Sequence, residues 1–105
     1  MPKQIAFRMN LFPGNAAEYR KRHDEVYPEL AKALKDAGVS DYQIWHDAES
    51  DHLFGFLTLS DDNTLDKVAE LEITKKWWAF MRDIMAADAD NVPVQIPLKR
   101  VFHLK

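Results

Sequence analysis

Apolar residues in this chain recur first at every second position, then at every third and fourth. They then alternate through two further runs, return to helical spacing, and alternate once more. That order of periods is the strongest constraint on what the chain can fold into, because side chains alternate across a strand and repeat every 3.6 residues around a helix. Residues Lys3 to Phe12 put Ile5, Phe7, Met9 and Leu11 on one face and Ala6, Arg8, Asn10 and Phe12 on the other, the pattern of a half-buried strand. Pro13 and Gly14 break it. Asn15 stands where an N-cap belongs, with Glu18 three residues on to complete a capping box. Tyr19, His23, Val26, Tyr27, Leu30, Ala33, Leu34 and Ala37 then form one apolar stripe. Pro28 predicts a kink or two abutting helices inside it, and Gly38 ends it as a C′ residue.

Val39 to Asp47 alternates again, with Tyr42, Ile44 and His46 opposite Gln43, Trp45 and Asp47. The polar turn "DAESD" leads into His52 to Leu59, so the two runs read as an antiparallel hairpin. Gly55 marks a bulge or a close approach. "SDDNT" opens a second helical region from Thr64 to Met85, in which Thr74 offers a second N-cap. Pro97 to Leu104 alternates once more. Strand, helix, strand, strand, helix, strand is the ferredoxin-like βαββαβ arrangement, an α+β fold with an antiparallel sheet and its helices on one face. The other face of such a sheet stays open, and a second copy of the chain is the expected cover, giving a homodimer.

Composition narrows the function. The 105 residues suffice for one domain, residues 1–105. A net charge of −3 carries no footprint for nucleic acid. No apolar run suits a signal peptide or a membrane span, and there is no cysteine; the expectation is a cytoplasmic protein without thiol chemistry. The four histidines, His23, His46, His52 and His103, lack the spacing of a helical metal site, although His46 and His52 could face each other across the hairpin. The three glycines form no phosphate loop, and Ser40, Ser50 and Ser60 sit in no nucleophile elbow.

Two constellations remain. Tyr19 and His23 are four residues apart, on one helix face. They read either as amphipathic residues at the edge of the core or as a sheltered histidine able to move a proton near neutral pH. Trp77 and Trp78 lie about 100° apart on a helix, so they cannot share one direction. Both can be core, or one indole can line a pocket. An aromatic plane beside hydroxyls and a histidine suits a sugar, and Tyr42 offers another hydroxyl.

The blocks "EYRKRHDEVYPEL", "DYQIWHD", "KKWWAFMRDIM" and "DNVP", in this order, resemble the L-rhamnose mutarotases over essentially the whole chain. The resemblance implies a small cofactor-free enzyme with a dimeric ferredoxin-like, barrel-like assembly. It implies interconversion of the α and β anomers of L-rhamnose, with His23 as catalytic acid and Tyr19, Tyr42, Trp77 and Trp78 binding the sugar. One departure is Tyr27, where the family often has tryptophan. Two other readings compete: a cofactor-free monooxygenase acting on an aromatic substrate, and a non-catalytic ligand-binding module.

Overall fold

A computed structural model describes residues 2–105. The first strand, β1 (Lys3–Asn10), pairs antiparallel along its whole length with β3 (His52–Leu59). On its other edge β3 pairs with β2 (Val39–Asp47), and β1 pairs with β4 (Ile96–Pro97). The sheet order is β2-β3-β1-β4, antiparallel throughout. The alternation predicted from sequence sets its two faces. Phe7 and Met9 lie opposite Gly55 and Leu53, and these residues, with Leu57 and Leu59, are buried beneath the helices. Gly55 is there for space: a Cβ at this position would stand 2.4 Å from the Phe7 ring.

The first helical stripe is two abutting helices, α1 (Ala16–Asp24) and α2 (Pro28–Asp36). Pro28 opens α2 at its first turn, where a missing N–H is harmless, and holds Tyr27 extended at φ −55°, ψ 121°. Gly38 at φ +99° ends α2 in the left-handed conformation expected of a C′ residue. The predicted capping box does not form. Asn15 occupies the cap position but its amide donates to the carbonyls of Phe12 and Pro13, and Glu18 is drawn to Arg22 instead. The second helical region also splits, into α3 (Leu65–Val68) and α4 (Glu72–Met81). The break falls at residues 69–71, so Thr74 lies inside α4 and is not a cap.

The last strand is much shorter than its alternation predicts. Only Ile96 and Pro97 join the sheet, beside Arg8 and Phe7, and one further bond runs from Leu98 N–H to the Ala6 carbonyl. Beyond that, Val101, Phe102 and Leu104 are 95, 77 and 83% exposed. Alternation tells which face a strand would present, not whether a neighbour exists to pair with it. The sheet face away from the helices carries Trp45, 67% exposed, together with half-buried Phe54, Phe56 and Arg8. His46 and His52 do not meet: His46 lies opposite Leu53, and its Nε2 contacts Asp51 Oδ1 at 3.0 Å.

Candidate active site

The helical spacing of Tyr19 and His23 stacks their rings on the inner side of α1, with centroids 4.3 Å apart and planes 25° from parallel. The Nδ1 atom of His23 lies 3.1 Å from the Tyr19 carbonyl oxygen, one turn back on the same helix. A carbonyl only accepts, so Nδ1 carries the proton in this bond. That fixes the neutral tautomer and turns Nε2, with its lone pair, away from the helix backbone. Burial lowers the His23 pKa below its ordinary 6.5, outweighing the Tyr19 carbonyl and the Asp24 charge, which both raise it. His23 is therefore neutral at pH 7.

From α4, Trp77 meets His23 edge to face at 5.3 Å and 88°. Tyr27, the N-cap of α2, closes on the same indole at 5.1 Å, and Phe80 lies 5.9 Å from it. From the sheet comes Tyr42. Between Ser40 and Gln43 the β2–β3 register shifts, with Asp41 at φ 48°, and this bulge sets Tyr42 against Phe7 at 6.3 Å. Burial raises the pKa of both phenols, Tyr19 further than Tyr42, and the Tyr42 phenol adds to the shift of Tyr19, so the two lie within electrostatic reach. The Tyr42 side chain is 39% exposed overall, yet its hydroxyl is desolvated enough to be pushed up to about 12. Among the described residues neither phenol hydroxyl has a hydrogen-bond partner, and neither is among the fully buried unpaired polar atoms, so both remain open to solvent or a ligand.

Tyr19, His23, Trp77 and Tyr42 thus converge on the seam between helices and sheet. Trp78, on the adjoining side of α4, is half-buried and packs against the core without a ring contact to His23. Asp83, two residues beyond the end of α4, is engaged away from His23. Its carboxylate is held by Arg22 at 2.8 and 3.3 Å, and that bond lowers its pKa below 3.8. Phe7, Phe80 and Arg22 are parts of the surroundings that sequence reasoning did not single out. Phe80 follows Trp77 by three positions and Arg22 follows Glu18 by four, spacings that place each pair on one helix face. No group of three or more metal-ligating side chains gathers among the described residues. A groove of ≈ 590 Å³ runs along β1 and the C-terminal segment, and His23 does not line it.

Comparison with known proteins identifies the family and the fold. A family model described as L-rhamnose mutarotase matches residues 4–104. The L-rhamnose mutarotase of Rhizobium meliloti is 55% identical over 103 residues, covering 98% of this chain and 99% of that one. A crystal structure of the L-rhamnose mutarotase of Formosa agariphila superposes with a TM-score of 0.90 at 47% identity, covering 98% of this chain and 99% of that one. A proposed antibiotic biosynthesis monooxygenase from Caulobacter crescentus reaches a TM-score of 0.64 at 21% identity, over 96% of this chain and 91% of that one, a likeness of fold alone.

Proposed function

The chain belongs to the L-rhamnose mutarotase family, and from that premise we propose that it interconverts the α and β anomers of L-rhamnose with His23 as the proton-transfer residue. The carrying observation is a half-buried histidine, its tautomer fixed by its own helix, stacked on Tyr19 and within electrostatic reach of Tyr42, with neither phenol hydroxyl engaged by another described residue. A sugar supplies the missing hydrogen bonds.

Opening the pyranose moves one proton off the anomeric hydroxyl and one onto the ring oxygen. These two oxygens share a carbon, so a single Nε2 serves both in turn. Neutral His23 takes the proton from the anomeric hydroxyl as the bond between C1 and the ring oxygen breaks, its electron pair leaving with the ring oxygen. The imidazolium so formed is the acid that returns the proton to that oxygen. Rotation about C1–C2 presents the other aldehyde face, and the steps reverse to close the second anomer. Tyr19 and Tyr42, held protonated by burial, hydrogen-bond the sugar hydroxyls and the developing charge on the ring oxygen. Trp77, buried against His23, Tyr27 and Phe80, backs the His23 ring and leaves only its edge for the sugar's C–H surface, and the half-buried Trp78 flanks it on α4. A positioned acid or base contributes about 10²–10⁴-fold, enough for a reaction that already proceeds in water. No metal, nucleotide or redox group is needed for any step.

The homodimer belongs to the same proposal. Trp45, Phe54, Phe56 and Arg8 form the open sheet face, and among the described residues the buried Arg8 Nε has no hydrogen-bond partner. A second copy is the proposed cover of this face; among the described residues no helix is long and apolar enough to cross a membrane, which fits the cytoplasmic enzyme proposed here. Crystalline L-rhamnose is a single anomer at the moment it dissolves, so its drift in optical rotation tests the activity. The protein should shorten that drift in proportion to its concentration. A rotation curve identical to that in buffer would reject the assignment. Oxygen uptake with a quinol, in a protein that leaves the drift unchanged, would favour a monooxygenase.

A further inference from the structure

One charged side chain near the site has no place in the reaction just described. Arg22 precedes His23 on α1, and its side chain is only 11% exposed. Its Nε donates to Glu18 at 2.7 Å. Its Nη1 donates to the Phe80 carbonyl at 2.7 Å and to Asp83 Oδ1 at 2.8 Å, and its Nη2 to Asp83 Oδ2 at 3.3 Å. The guanidinium also lies 4.4 Å from the centroid of the Phe80 ring. Phe80 is in the last turn of α4, where backbone carbonyls lack helical partners and a cation is favoured. The anchor therefore ties α1 to the end of the helix that carries Trp77.

We propose that Arg22 is a positioning residue for mutarotation: by clamping α1 to the C-terminal end of α4, it sets where the His23 ring stands against Trp77 and hence against the sugar beside it. The inference rests on the mutarotase reading. The Glu18–Arg22 row runs beside the Tyr19–His23 row on the same helix, so a shift of one moves the other. Glu18 and Asp83 are 43 and 65% exposed, and ion pairs to such groups add little to stability. Geometry is what the clamp supplies. Only a planar, five-donor fork can bond Glu18, a backbone carbonyl and both Asp83 oxygens while lying on a ring; a lysine ammonium cannot.

The test pairs Arg22→Lys with Asp83→Asn. Asp83→Asn changes one exposed group, so it folds even where the arginine variant does not. Anomer exchange is measured at saturating and limiting L-rhamnose, sugar binding by tryptophan fluorescence, and His23 by the NMR shifts and titration of its ring protons. We expect Arg22→Lys to lower kcat about ten- to a hundredfold, as displacement of a reacting group by a fraction of an ångström does. Affinity should change less than about threefold, since the groups that hold the sugar remain. Asp83→Asn should follow in the same direction with smaller effect. In both, the ring-current displacement of His23 by Trp77 should shrink and the His23 titration move up towards 6.5. Unchanged kcat and unchanged His23 shifts in a folded variant would overturn the positioning role, as would a loss confined to KM or one that merely tracks the folded fraction. Wild-type protein that fails to speed exchange defeats the mutarotase reading instead, and the His23 shifts still decide whether Arg22 places the ring.

Discussion

His23 is neutral where an unperturbed histidine would be partly charged, and its pH behaviour follows from that. Its folded pKa is depressed by burial, so on acidification the unfolded chain takes up this proton first. The stability linked to His23 is complete above about 6.5 and declines as the pH falls through the folded pKa. The acidic limb of kcat/KM for anomer exchange should lie below 6.5 for the same reason, because Nε2 must be bare to accept the first proton; a midpoint at or above 6.5 would contradict this account of its surroundings. His23→Asn should reduce kcat/KM about 10²–10⁴-fold while leaving the fold intact by circular dichroism. Tyr19→Phe separates binding from stability. The hydroxyl lacks a partner in the free protein, so its removal should leave Tm unchanged or slightly raised, while kcat/KM falls by roughly five- to tenfold with the lost hydrogen bond to sugar. The pairing of Tyr19 with His23 was legible in their four-residue spacing. The fixed tautomer was not, since it depends on a ring rotating back onto its own backbone, and neither was the Arg22 anchor, which joins residues 61 positions apart.

The elements position these groups through close approaches. Phe7 lies over Gly55 and touches Tyr42, so the centre of the sheet props up one side of the cleft. Gly55→Ala should displace that ring, at a stability loss of about 1–3 kcal/mol, which for a domain this small is at least several degrees in Tm. It should weaken L-rhamnose binding as well, because Tyr42 shifts with Phe7; calorimetry and fluorescence titration read the two effects. Five of the predicted periods became elements near their expected places, because each pattern was long and had a core to face. The sequence also signalled the break at Pro28, through a residue that can start a helix but not continue one. Three local details departed from it. Asn15 and Glu18 found better partners than each other, Thr74 was bypassed as a cap, and the final alternation yielded only Ile96 and Pro97. The capping box lost to partners two to four residues away, and the last strand lacked a neighbour along most of its length.

Over the whole molecule, the sheet divides two tasks. Its inner face carries the core and, at the seam with α1 and α4, the proposed site; its outer face presents Trp45 and the aromatic residues of β3. If that outer face is the dimer contact, sedimentation should give twice the 12.2 kDa of one chain. Trp45→Glu, which places a charge in the contact, should return the monomer mass. The central claim is that the cleft around His23 opens and recloses a sugar ring. NMR saturation transfer between the two anomeric protons of L-rhamnose at equilibrium measures that exchange directly, without a coupled enzyme or a net change in composition. Saturating the α signal should deplete the β signal in the presence of catalytic amounts of the protein, and the depletion should vanish with His23→Asn. Transfer no greater than in buffer alone, or full transfer with the histidine replaced, would contradict it.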